Sequence, residues 1–166
     1  MTDPQKHRLR LCFVCLGNIC RSPTAEGIMQ HLVNEAGLAQ SIAIDSAGTS
    51  AYHAGESADE RSRQTAAEHD VIIDQVSRQF HPHDLDRFDL ILAMDQSNLD
   101  NLLRLATNDE QRKKIHRLRE FDPHAKGELD VPDPYYGGSN GFEKVFQMCF
   151  RSCEVLLEKI REDYDL

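Results

Sequence analysis

No apolar run in this chain of 166 residues approaches the length of about 18 that a membrane-spanning helix needs. The N-terminus lacks the charged, apolar and small-residue order of a secretory signal, so a cytoplasmic protein with no membrane partner is expected. Positive charge is scarce: 19 Lys and Arg against 28 Asp and Glu give a net charge of −9, which argues against a nucleic-acid partner. The five cysteines are an odd count with no paired Cys-x-x-Cys spacing, which speaks against a structural zinc site and for a reducing compartment. Internal repeats and low-complexity linkers are also absent. A single domain over residues 1–166 is therefore expected, with about the first eight residues forming a loose tail. Hydrophobic content of 40% and charged content of 28% are ordinary for a soluble globule.

What is present is concentrated near the N-terminus, in Cys15-Leu16-Gly17-Asn18-Ile19-Cys20-Arg21-Ser22-Pro23. Leu9 to Val14 reads as a buried strand. Ala25, Ile28, Met29, Leu32, Val33 and Ala36 then recur at helical spacing. Ser22 suits the N-cap of that helix, Pro23 its first position and Gly37 its stop. The loop's N–H groups then lie at the positive end of a helix dipole, an anion site with a thiol at its floor. Such surroundings favour the thiolate, and Ser22 can add its hydroxyl. A Cys and an Arg six positions apart are weak evidence alone. Gly17 and Asn18 strengthen it, because both tolerate the positive φ that a loop wrapped around an anion needs.

Beyond this loop the chain alternates. Ile42 to Ala47, Phe88 to Ala93 and Ile115 to Phe121 read as strands. Ala58 to His69, Gln96 to Leu105 and Phe142 to Glu162 read as helices. The expected fold is α/β: a single-domain, doubly wound, four-stranded parallel sheet with helices on both faces and the phosphate-binding loop after strand 1. Cys15, Asp45 and Asp95 would end strands 1, 2 and 3 at one rim, where such sheets bind ligands.

The chain resembles the low-molecular-weight protein tyrosine phosphatases, over about Leu9 to Ile160. The resemblance rests on Val14 to Pro23, on Asp133-Pro134-Tyr135-Tyr136-Gly137, and on Asp45 to Ser50 and Met94 to Leu99. It implies a phosphotyrosine-protein substrate, Cys15 as nucleophile, Arg21 as phosphoryl clamp, and Leu16 to Cys20 with Ser22 as the phosphate loop. It also implies Asp133 as general acid and then base, on a loop stiffened by Pro134. No metal or cofactor is called for, since thiolate and guanidinium supply the charge.

Several residues keep two readings. Cys20 either fills space beneath the loop or, as the resemblance also implies, captures oxidised Cys15 as a disulfide. Tyr135 and Tyr136 either pack a turn or, with Tyr52, form aromatic walls around a flat phosphophenyl group. Cys12, Cys149 and Cys153 fit the core, and the His81-Pro82-His83 pair has no third metal ligand near it in sequence. Many relatives have a His where this chain has Gln75, which can hold Asn18 without titrating; Ser46 can also hold it. Ile19 stands where a phosphoarginine-directed type carries Thr, which favours tyrosine. A catalytically silent phosphate-binding module is the alternative from another class. An arsenate reductase on this fold would need relay cysteines, and none lies between Cys20 and Cys149.

Overall fold

Leu9 to Cys15 form β1, with every residue but Arg10 buried. The strand is shielded on both faces, so its apolar residues run almost continuously instead of alternating. Leu9, Leu11, Phe13 and Cys15 point into one core, and Cys12 and Val14 into a second. The computed structural model describes residues 9–136, 138 and 140–166; the expected tail lies outside them. β1 pairs in parallel with β2 (Ile42–Gly48) and with β3 (Leu90–Ala93), which pairs with β4 (Ile115–Arg117). The order β2-β1-β3-β4 is the expected doubly wound sheet.

Six α-helices are described: α1 (Arg21–Glu35), α2 (Glu60–Glu68), α3 (Asp84–Arg87), α4 (Gln96–Leu105), α5 (Asp109–Lys113) and α6 (Gly141–Tyr164). α1 and α6 cover the first face, where Ile28, Met29 and Val33 meet Phe146, Cys149, Cys153 and Leu156. Leu85 of α3 and Leu102 of α4 cover the other. Each fully buried side chain of this size contributes about 1.5–3 kcal/mol. The core reading of Cys12, Cys149 and Cys153 agrees with their complete burial. That burial pushes the Cys149 thiol up to about 12 and the other two well above their ordinary value. Among the described residues no helix is long and apolar enough to cross a membrane.

Four expectations are corrected. α1 begins at Arg21, two residues early, and its N-cap Cys20 makes no side-chain cap bond. Ser22 does not cap because its hydroxyl is taken up by Cys15 and Asn18. Asp45 lies opposite Cys12, well before the end of β2, and its carboxylate is held by Arg78, so it does not reach the rim. β4 stops at Arg117, and Leu118 to Phe121 turn into a 3-10 helix that buries Leu118. Phe88 precedes β3 instead of opening it, while α3 and α5 are short helices the pattern did not signal. The stop at Gly37 holds: with φ +71 it lets its own N–H meet Asn34 O and that of Leu38 meet Val33 O.

Candidate active site

Cys15 is the last residue of β1 and Arg21 the first of α1, so the loop between them closes the carboxyl edge of the central strand. Its carbonyls are held outward. Cys15 O accepts from Thr49 N–H at 2.9 Å, Leu16 O from Ser50 N–H at 3.0 Å and Ile19 O from Asp59 N–H at 2.8 Å. Asn18 O accepts from the Ser77 hydroxyl and Cys20 O from that of Thr24. Among the described residues the main-chain N–H groups of Leu16 to Cys20 have no backbone acceptor, which leaves them for an anion at the start of α1.

Asn18 takes the expected positive φ, 56°, but Gly17 does not. Gly17 instead gives room to its neighbour: a Cβ there would stand 3.0 Å from the His53 ring, which would have to shift by a few tenths of an ångström. Gly48 matters similarly, since its Cβ would lie 2.7 Å from Leu16 O. The buried Asn18 amide ties the loop together. Its Nδ2 donates to Ser22 Oγ at 2.8 Å and to Ser46 Oγ at 3.0 Å. Its Oδ1 accepts from Arg78 N–H at 3.0 Å and Gln75 Nε2 at 3.2 Å, so Gln75 and Ser46 both hold Asn18 as expected. Ser22 Oγ lies 3.0 Å from Cys15 Sγ.

Arg21 is buried, and its Nη1 donates to Asp95 Oδ2 at 2.6 Å and to Val131 O at 3.0 Å. Burial opposes its charge, but Cys15, Asp95 and Asp133 together hold its pKa above the ordinary value. Asp95 thus reaches the rim as expected and has two tasks: its other oxygen caps α4 by accepting from Asn98 N–H. Val131 N–H donates to Met94 O at 2.7 Å, fixing the chain two residues before Asp133 to the end of β3.

Cys15, Leu16, Gly17, Ile19, Cys20, Arg21, Tyr52, Asp133 and Tyr135 line one cavity of about 520 Å³. Asp133 Oδ1 accepts from Tyr135 N–H at 3.0 Å. Tyr52 and Tyr135 are 83% and 58% exposed, so both rings stand at the rim and are accessible to a ligand. The Tyr136 side chain and Gly137 lie outside the described residues. A wider cavity of about 860 Å³ lies beyond Tyr135, lined by Arg61, Glu68, His69 and Phe142. It holds neither Cys15 nor Asp133. Cys20, buried in the wall of the cavity that holds Cys15, has its thiol pushed up to about 12 by burial and then by the nearby Asp59.

Ser50, the last residue of the Asp45 to Ser50 stretch, and His53 also line that cavity; His53 carries no motif, and neither do Ser77 and Arg78 behind the loop. His69 is a supporting residue: its Nε2 meets Glu143 at 2.8 Å and its ring stacks on Phe146. The His81 and His83 rings stack 4.8 Å apart.

Residues 10–166 match the family model described as low molecular weight phosphotyrosine protein phosphatase. The chain is 45% identical over 157 residues to a low molecular weight protein-tyrosine-phosphatase of Streptomyces coelicolor, covering 94% of this chain and 96% of that one. It is 42% identical over 148 residues to the human low molecular weight phosphotyrosine protein phosphatase, covering 89% and 92%. A protein tyrosine phosphatase of Entamoeba histolytica, solved with Hepes in its active site, superposes with a TM-score of 0.89 at 39% identity, covering 94% of this chain and 99% of that one. A Drosophila arginine phosphatase superposes at 0.84 with 32% identity, covering 91% and 97%. The fold, the loop and these likenesses agree: the chain belongs to the low molecular weight phosphotyrosine protein phosphatase family and is a phosphoric monoester hydrolase.

Proposed function

We propose that this protein hydrolyses phosphotyrosine in proteins through a phosphocysteine on Cys15. The observation that carries this is the placement of Cys15, Arg21 and Asp133 on one cavity, with the Ser22 hydroxyl 3.0 Å from the sulfur. The thiolate attacks phosphorus in line as the phosphorus–oxygen bond to tyrosine breaks. Asp133 gives its proton to the departing phenolate. Loop N–H groups and the Arg21 donors that Asp95 and Val131 leave free hold the phosphoryl oxygens, more tightly as charge builds on them. Asp133 then takes a proton from water, whose oxygen attacks phosphorus; the sulfur–phosphorus bond breaks and inorganic phosphate leaves. The chemistry needs no metal, so chelator should leave turnover unchanged.

Tyr52 and Tyr135 at the rim suit a flat phenyl ring, and the length of phosphotyrosine lets its phosphate reach Cys15 at the floor. Phosphoserine is too short. The likeness to an arginine phosphatase makes phosphoarginine the rival substrate, and the apolar Ile19 in the cavity favours tyrosine over it. A panel of tyrosine, serine and arginine phosphopeptides tests this. Preferred release of phosphate from tyrosine supports the reading, and preferred release from arginine replaces it. The five unpaired cysteines fit a cytoplasmic setting.

Removing the acid should separate substrates by leaving group. Asp133→Ala is expected to slow phenyl phosphate by about 10²–10³-fold but p-nitrophenyl phosphate by less than about tenfold, because nitrophenolate departs unprotonated. Equal losses on both would remove Asp133 from that role.

Cys20 is assigned to redox protection. Peroxide converts the Cys15 thiolate to the sulfenic acid; the Cys20 thiol then attacks that sulfur, forming the disulfide and releasing water. Cys20→Ala should recover less activity than wild type when peroxide-treated enzyme is given dithiothreitol. Equal recovery ends the assignment.

A further inference from the structure

Glu26 bears none of the roles above, yet it terminates the hydrogen-bond chain that begins at the nucleophile. It lies on α1, and its Oε1 accepts the Ser46 hydroxyl at 2.6 Å. Ser46 Oγ in turn accepts from Asn18 Nδ2 at 3.0 Å. The same nitrogen donates its other proton to Ser22 Oγ at 2.8 Å, and Ser22 stands 3.0 Å from Cys15 Sγ. Asn18, Ser22 and Ser46 are all buried, so these protons have no free choice of solvent partner.

The direction of each bond follows from what each group can donate. Arg78 N–H and Gln75 Nε2 are donors and turn Asn18 Oδ1 towards themselves, so Nδ2 faces the two serines. A carboxylate can only accept, so it commits the Ser46 proton outward and leaves the Ser46 oxygen to receive Asn18. Ser22, receiving the other Asn18 proton, is left with its own hydroxyl for the sulfur. Ala47 O, at 3.5 Å, is a distant competing acceptor for that hydroxyl. We propose that Glu26 is a positioning residue: as the terminal acceptor it sets the polarity of the chain Glu26–Ser46–Asn18–Ser22 that presents the Ser22 hydroxyl to Cys15. This rests on the reading of Cys15 as nucleophile.

The charged form is what enforces the direction, and it titrates in a useful range. Burial raises the Glu26 carboxyl to about 7; the Ser46 hydrogen bond and Arg78 act downward, and Asp45 and Asp74 upward. Once protonated, Glu26 carries a proton of its own beside Ser46 and no longer acts only as an acceptor.

The test compares wild type with Glu26→Gln, which keeps an accepting oxygen without charge, with Glu26→Leu, which keeps neither, and with Ser46→Ala. The readouts are kcat/KM on p-nitrophenyl phosphate and the inhibition constant of inorganic phosphate, from about pH 5.5 to pH 8.5. Glu26→Leu should lose about tenfold in kcat/KM at pH 8 with phosphate inhibition changed less than about twofold. The wild-type advantage over Glu26→Gln should be about three- to tenfold above pH 7 and fade towards pH 6 as the wild-type carboxyl protonates. Substrate ionisation cancels in that ratio. Glu26→Leu combined with Ser46→Ala should be no worse than the poorer single variant, because both break one chain.

Thermal midpoints verify the titration. A carboxyl raised on folding contributes stability that is complete below its ordinary value of 4.5 and lost as pH rises through about 7. The midpoint of Glu26→Gln should therefore rise relative to wild type across that window. Wild-type kcat/KM in Glu26→Leu, a pH-independent ratio for Glu26→Gln, or losses that multiply in the double variant would each overturn the proposal while leaving Cys15 in its role. A wild type without turnover overturns both.

Discussion

Cys15→Ser is expected to abolish hydrolysis, lowering kcat by at least about 10⁴-fold, while inorganic phosphate still binds. Serine is close in size to the cysteine it replaces, and residue 15 is only 3% exposed at the end of a fully buried strand segment. The outward bonds that shape the loop run through main-chain carbonyls and through Asn18. None of them needs the sulfur, so the anion cradle survives the change. The hydroxyl does not ionise at neutral pH, and a neutral alcohol is a poor nucleophile towards a phosphate dianion. Isothermal titration with phosphate, beside turnover of p-nitrophenyl phosphate, separates the two functions. Retained turnover in this variant would place the nucleophile elsewhere.

The second large effect is expected at Arg21. Arg21→Lys keeps the charge but should cut kcat/KM by about 10²–10³-fold, because the planar fork serves two sets of partners at once. One nitrogen is committed to Asp95 Oδ2 at 2.6 Å and Val131 O at 3.0 Å, which leaves the other guanidinium donors for the phosphoryl group. A lysine ammonium has three donors on one point and cannot satisfy both the Asp95 and Val131 acceptors and two phosphoryl oxygens. Steady-state kinetics on p-nitrophenyl phosphate, with phosphate inhibition measured alongside, gives the outcome. A loss under tenfold would mean the fork geometry is unimportant and charge alone suffices.

The site was legible where its residues lie close in sequence. Cys15 to Pro23 form one strand–loop–helix unit, and the residue types in it state their own geometry. Asp133 and Tyr135 stand far along the chain and were reached only through the resemblance, although the structure brings both to the same cavity. Residues acting through single long-range contacts left no pattern. Arg78 N–H meets the Asn18 amide across 60 positions, and Ser77 meets its carbonyl across 59. Glu26 reads as an ordinary polar helix position until Ser46 is seen against it.

Errors had a common physical source, the recruitment of a side chain into a longer-range bond than local preference foresees. Ser22 is a good N-cap by type, but its hydroxyl serves Cys15 and Asn18 instead. Asp45 reads as a rim carboxylate by type, but it lies three residues before the end of β2 and its partner Arg78 comes from a distant loop. Ile115 to Phe121 alternates weakly, and the chain turns after Arg117, where Arg119 Nη1 donates to Asp130 O, 11 positions on, at 3.0 Å. The strong apolar runs of β1 and β3 were legible because strands shielded on both faces are apolar almost throughout, and the long stripe of α6 because burial of one helix face imposes a period that the chain itself displays.

The most direct measurement is mass spectrometry of enzyme quenched in acid during turnover of p-nitrophenyl phosphate, followed by peptide mapping. A phosphoryl mass on the peptide containing Cys15, absent when that residue is serine, is the expected result. Phosphate on any other residue, or no covalent adduct while burst kinetics show one accumulating, would contradict attack by the Cys15 sulfur.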